Sequence, residues 1–195
     1  METSVDIGPR IGERQPVTPV VTEIWEDAQL VIAARDGDRA AFGELYRRYR
    51  RSVHGILLAR VPRGEVDDLV QDVFLLALRR LGDLRNASAF GGWLASIARN
   101  RANDYHRQSD DNAALTDDVA ERSRSAPDAE AVTILAVIRS LPEAYRETLI
   151  LRLVEGMTGP EIAARTGLTA GSVRVNLCRG MQQLREKLGT RTDRL

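Results

Sequence analysis

A chain of 195 residues holds one medium domain or two small ones, and is too short for a large multidomain enzyme. Its 28 basic and 28 acidic side chains cancel, which excludes a uniformly basic nucleic-acid coat, and 43% hydrophobic with 29% charged residues excludes global disorder. Aromatic residues make up only 5% and Ala, Leu and Arg dominate, a mixture that favours helices over large sheets.

The cancellation conceals a pattern. Residues 1–28 carry 2 basic and 6 acidic side chains, 29–107 carry 14 and 9, 108–131 carry 2 and 7, and 132–195 carry 10 and 6. Two net-positive modules are therefore separated by an acidic connector and preceded by an acidic tail, a layout suited to two domains that touch a polyanion. Tail and connector also contain Pro9, Pro16, Pro19 and Pro127 among many polar residues, so both are expected to be flexible.

The opening METSVDIGPR has no basic start leading into an apolar run, and no stretch is long enough to span a bilayer. The expectation is a cytoplasmic protein with no direct membrane insertion. Cys178 alone permits no internal disulfide, and with only His54 and His106 neither a metal site nor a cofactor is expected.

In chain order, Leu30, Val31, Ala34, Ala41, Phe42, Leu45, Tyr49, Val53 and Ile56 fit two helices broken near Asp36-Gly37-Asp38. A third follows Pro62-Arg63-Gly64, with Val66, Leu69, Val70, Val73, Phe74 and Ala77 at steps of three and four. A loop at 82–88 ends in an expected cap at Ser88, and Phe90, Trp93, Leu94, Ile97 and Ala98 mark a fourth helix. In the second module Ile134, Val137, Ile138 and Leu141 form one face, and Pro142 is placed to start the next helix. Thr158-Gly159-Pro160-Glu161 has the form of a capping box, Gly167 ends that short helix, and Val173, Leu177, Met181, Leu184 and Leu188 give the last one a buried seam.

Two helices across a glycine-containing turn, the second longer and basic, describe a helix-turn-helix. Removing the seam leaves Arg174, Val175, Cys178 and Arg179 on exposed faces, with Ser172 and Asn176 near the helix start. Arg bridges a guanine edge, Asn pairs with adenine, and Val or Cys meets a thymine methyl; the plainer alternative is two arginines on a solvated face.

Taken together, the stretches GDRAAFGELYRRY (37–49), DDLVQDVFLLAL (67–78), AFGGWLASIARNRANDY (89–105), LPEAYRETLILRLVEGMTGPEIAARTG (141–167) and SVRVNLCRGMQQLRE (172–186) resemble bacterial RNA polymerase sigma factors of the extracytoplasmic-function group. The resemblance implies an all-α protein of two small helical domains joined by a flexible linker. Residues 1–28 are an N-terminal extension, 29–107 region 2, 108–131 the acidic linker, 132–189 region 4 and 190–195 a C-terminal tail.

The resemblance also implies roles. Asp68, Leu69, Gln71, Asp72 and Phe74 become candidates for docking on the clamp helices of the largest polymerase subunit; alternatively the acids form a solvated face and Leu69 and Phe74 pack the core. Arg85, Asn86, Ala87 and Ser88 would capture a flipped base of the minus-10 element. Arg99, Asn100 and Asp104 would lie near the duplex junction, with Trp93 either there or in the core. Ser172, Arg174, Val175, Asn176, Cys178 and Arg179 would read the minus-35 duplex.

Many relatives carry bulky aromatics where this chain has Gly91-Gly92 and Ala95-Ser96, so few stacking platforms remain. The partners implied are core RNA polymerase, through its clamp helices and beta flap, promoter DNA, and a cognate anti-sigma factor, membrane-anchored ones being among those the family uses. Val20, Val21, Ile24 and Trp25 suit either an extra turn packed on the first module or a partner-binding segment. Rival readings are an enzyme, for which no phosphate loop or catalytic triad order is present, a helix-turn-helix regulator independent of polymerase, and a purely structural adaptor.

Overall fold

The computed structural model describes residues 20–113 and 126–192, and every regular element among them is helical. The first module comprises α1 (Val20–Arg35), α2 (Arg39–Leu58), α3 (Val66–Arg80) and α4 (Phe90–Ala113); the second comprises α5 (Ala126–Arg139), α6 (Glu143–Leu153), α7 (Gly159–Thr166) and α8 (Ala170–Thr192). Val20, Val21, Ile24 and Trp25 fall in the first turns of α1. Helices α4 and α5 enter the stretch read from sequence as linker, and most of the N-terminal extension lies outside the described residues. No helix among the described residues is long and apolar enough to cross a membrane.

Local chemistry sets the helix ends. Asp38 caps α2 by accepting from the backbone N–H groups of Ala40 (2.8 Å) and Ala41 (3.1 Å). The expected cap at Ser88 is instead made by Asn86, whose side chain accepts from the Ser88 N–H (3.0 Å), because a single 3-10 turn, Ala87–Ala89, precedes α4. Pro142 stands at the N-cap of α6, just before its first turn. The capping box forms as expected: Thr158 Oγ1 accepts from Glu161 N, and the Glu161 carboxylate accepts from Thr158 N at 2.6 Å. That backbone bond is the main cause holding the Glu161 carboxyl below its ordinary range.

Helix α2 is central to the first module. Its Leu45, Val53 and Ile56 pack with Val70 and Val73 of α3 and Phe90, Leu94 and Ala98 of α4, all buried. Helix α6 plays that part in the second module, but five consecutive residues, Glu147 to Leu151, are buried. A helix buried on all sides needs neighbours on all sides. It has α8 and α5 within its own module and α2 on the other.

The two modules consequently share one buried cluster, which runs from the first-module core into Val137, Ile138, Leu141, Leu149, Ile150 and Leu184. The sequence reading of two helical domains joined by a linker said nothing of contact between them; in the structure they share a core. A smaller cluster of Leu151, Met157, Ile162 and Val173 holds the helix-turn-helix.

Charge reinforces the junction. Glu147, only 4% exposed, meets Arg60 at 2.8 Å and Arg99 at 2.7 Å, both from the first module. Buried Asp27 of α1 accepts from the Tyr49 hydroxyl (2.6 Å) and from Arg48 (2.9 Å), and pairs with Arg165 of α7 (3.2 Å), whose guanidinium also lies 4.3 Å from the Tyr49 ring centroid. Burial, and secondarily the Asp27 carboxylate, pushes the Tyr49 phenol far above its ordinary range. Arg139 of α5 donates to the carbonyls of Leu58 (3.1 Å) and Val61 (2.7 Å), satisfying the carboxyl end of α2.

Two measurable consequences follow. Thr158→Ala removes the α7 cap and is expected to lower stability to denaturant by ~1 kcal/mol. For Glu147, burial favours the neutral acid, but hydrogen bonding to Arg99 and the charges of Arg60 and Arg99 outweigh it, so the folded carboxyl sits below its ordinary range. A carboxyl depressed by folding stabilises the fold above its unfolded pKa, and that stabilisation is lost as pH falls through the folded value. Unfolding followed from neutral pH downward should therefore show acid destabilisation beginning in the carboxylate range, with a shallower slope in Glu147→Gln.

Candidate nucleic-acid and polymerase interfaces

Three outward faces emerge. On α3, Asp68 and Gln71 are exposed, and the same face continues through Leu75 (52% exposed) and Leu78 (47%) at helical steps of three and four. Leu69 and Phe74, placed by resemblance on this docking face, are buried instead; Phe74 packs against the Tyr46 ring at 4.6 Å. Asp72 is half-buried and tied to Arg101 of α4 at 2.6 Å. Sequence reasoning missed Leu75 and Leu78, although their spacing from Asp68 and Gln71 was the available signal.

The loop Arg85–Ser88 is pinned at both ends by buried Leu84 and Phe90, which leaves Arg85, Asn86 and Ser88 exposed and Ala87 half-exposed. Asn86 is partly committed, since its carbonyl side-chain atom holds the turn. Beyond the loop, α3 and α4 enclose a polar groove of about 520 Å³ that brings Asn100 and Asp104 together with Arg80, Arg101, Asn103 and Arg107. None of the last four was given a site role from sequence, although Arg101 and Arg107 share one helical face with 97, 100 and 104. Trp93 packs beside Phe90, ring centroids 5.9 Å apart, yet remains half-exposed.

Arg99 does not join that groove. One residue earlier on the helix points about 100° away, and its guanidinium forks onto Glu147 (Nε to Oε2 3.1 Å, Nη2 to Oε1 2.7 Å) and reaches the Thr166 carbonyl at 3.2 Å. Hydrogen bonding to Glu147 is also what raises its pKa further.

On α8, Ser172, Arg174, Val175, Cys178 and Arg179 are exposed on one side, while Val173 and Leu184 bury the other. Thr169 caps this helix by accepting from Ser172 N (3.1 Å), and the two hydroxyls lie 2.8 Å apart, so Ser172 serves the cap as well as the surface. Asn176 is half-buried and lines the inter-module cleft with Arg60, Arg99, Glu143 and Glu147. Among the described residues no group of His, Cys, Asp and Glu is arranged to hold a metal.

Comparison with known proteins agrees with this geometry. Residues 45–111 match the family described as Sigma-70 region 2, and residues 131–184 match Sigma-70, region 4. RNA polymerase sigma factor CarQ of Myxococcus xanthus is 35% identical over 162 residues, covering 80% of this chain and 93% of that protein. The ECF RNA polymerase sigma-E factor of Haemophilus influenzae is 30% identical over 185 residues, covering 86% and 98%. The solved structure of CnrH in complex with the cytosolic domain of CnrY superposes with a TM-score of 0.61 at 28% identity, covering 85% of this chain and 98% of that one. Both regions are thus matched in order, across nearly the whole length of the relatives, and the chain belongs to the extracytoplasmic-function group of the sigma-70 family: a sigma factor, not an enzyme, that binds core RNA polymerase and promoter DNA.

Proposed function

We propose that this sigma factor directs promoter-specific initiation by reading two separated elements, with α8 on the minus-35 duplex and the first module on the melting minus-10 element. The carrying observation is the coexistence on one chain of an exposed basic α8 face with Arg174 and Arg179, and, in the first module, a polar, arginine-lined α3/α4 groove and the exposed Arg85–Ser88 loop. Arginines position the protein on phosphates, and base-edge contacts from Arg174, Val175, Asn176 and Cys178 discriminate sequence. In the first module the loop captures an extruded base while the groove attracts the displaced strand, so melting relies on capture more than on aromatic stacking. Linking two weak contacts through polymerase raises the effective concentration of the second.

The α3 face formed by Asp68, Gln71, Leu75 and Leu78 docks on polymerase: exposed leucines beside carboxylates suit a partner that presents both apolar surface and arginines. An anti-sigma factor is the second protein partner, supported by the likeness to CnrH, whose solved structure is a complex with CnrY.

Run-off transcription with purified core polymerase on a fragmented genomic library tests the reading. Wild-type protein should give defined start sites absent with core alone. Arg174→Ala/Arg179→Ala should lose them while still binding core, and Gln71→Ala/Leu75→Ala should weaken core binding at least tenfold, about 1.4 kcal/mol. Start sites indifferent to the α8 variant would overturn the two-element reading.

A further inference from the structure

We infer that the minus-35 element carries thymines on two neighbouring base pairs, and that Val175 and Cys178 read their methyl groups. The inference deepens the proposed minus-35 role of α8 and rests on it. It starts from the way α8 is held. Val173 and Leu184 bury one side of the helix. Gly180 seals that side, because a Cβ there would stand 3.1 Å from both Leu149 Cδ1 and Tyr145 Cβ of α6. With its back fixed in this way, α8 has one outward face.

At about 100° per residue Val175 stands opposite Leu184, and Gly171 and Cys178 lie within about 60° of it. All three are exposed, Val175 by 45%. The middle of the outward face over its first two turns is therefore glycine, valine and cysteine, without a charge. Arg174 and Arg179, both exposed, flank the line through Val175 and Cys178 by about 70° on either side. A helix seated in a major groove turns its middle to the base edges and its flanks toward the two backbones. Valine has no hydrogen-bonding group and a thiol is only a weak donor, so this pair is a poor match for base carbonyls and amines. The apolar feature of the major groove is the thymine methyl.

Spacing along the helix sets the register. Three residues separate Val175 from Cys178, a rise of about 4.5 Å, near the step of roughly 3.4 Å between base pairs, so the two side chains fall on neighbouring pairs. Farther along, the same face changes character. Gln182 donates to the Glu186 carboxylate (3.0 Å), and an acid on the outward face is repelled by phosphate. Insertion is thereby confined to the first two turns, where a recognition helix meets bases. Asn176 is turned about 100° from Val175 and is half-buried, which leaves Val175 and Cys178 at the centre of the reading face.

The test uses the full-length protein with core polymerase at a start site located in the run-off library. In the duplex upstream of that site each thymine is replaced in turn by deoxyuridine, which deletes the methyl group and keeps the base pair. Holoenzyme affinity should fall about three- to fourfold at two thymines on neighbouring pairs, on either strand, as expected when one apolar group loses its contact. Val175→Ser and Cys178→Ser, which place a hydroxyl at an exposed position, should each abolish the response at one of the two while core binding stays as in the wild type. Response at fewer than two thymines, response at thymines that are not neighbours, or response at both thymines that persists in either variant would overturn the inference. Methyl-insensitive start sites that still require Arg174 and Arg179 would overturn this inference alone and leave the minus-35 reading standing. Start sites indifferent to Arg174→Ala/Arg179→Ala would strike that reading, and this inference with it.

Discussion

A carboxylate removed from water has to be met by positive charge, and the position of Glu147 between Arg60 and Arg99 is the constraint on which the arrangement of the two modules depends. It fixes the face α6 turns toward α2, and through α6 the placement of the helix-turn-helix. Burial of Leu149, Ile150 and Leu151 supplies the non-directional part of the junction, while the arginines supply its register. Asp27 repeats the logic at the other end, drawing Arg165 of α7 over the Tyr49 ring.

This arrangement divides the proposed nucleic-acid surface unequally. The α8 face and the Arg85–Ser88 loop stay open to solvent, whereas Arg99 and Asn176 are drawn into the cleft between modules. The α3 face carrying Asp68, Gln71, Leu75 and Leu78 is open in the same fold that engages Arg99 and Asn176 internally.

Much of the fold was legible because local signals were strong. The Asp36-Gly37-Asp38 break, the Thr158/Glu161 capping box and the α8 seam follow from capping chemistry and a period of 3.6 residues, and each appears where expected. Long-range facts were less legible. Leu69 and Phe74 were candidates for a docking face by resemblance, with core packing as the alternative; α3 buries them, and Leu75 and Leu78 take the outward positions. The resemblance grouped Arg99 with Asn100 near the duplex junction, while the helix turns them to different neighbours, one to Glu147 and one to the groove. Module packing had a readable cue in the unbroken apolar run Leu149-Ile150-Leu151, too apolar for a helix with one wet face, and in the paired glycines at 91 and 92. Neither identifies its partner without coordinates, because a buried charge and a close backbone approach are properties of two distant segments.

The most direct test is a double-mutant cycle on the full-length chain, pairing Glu147→Gln with Arg60→Gln and reading equilibrium unfolding in denaturant. Direct contact across the junction predicts a coupling of about 1–3 kcal/mol, with the second substitution costing much less once the first is made. Additivity of the two substitutions to within about 0.5 kcal/mol would contradict it, and with it the claim that this carboxylate holds the modules together.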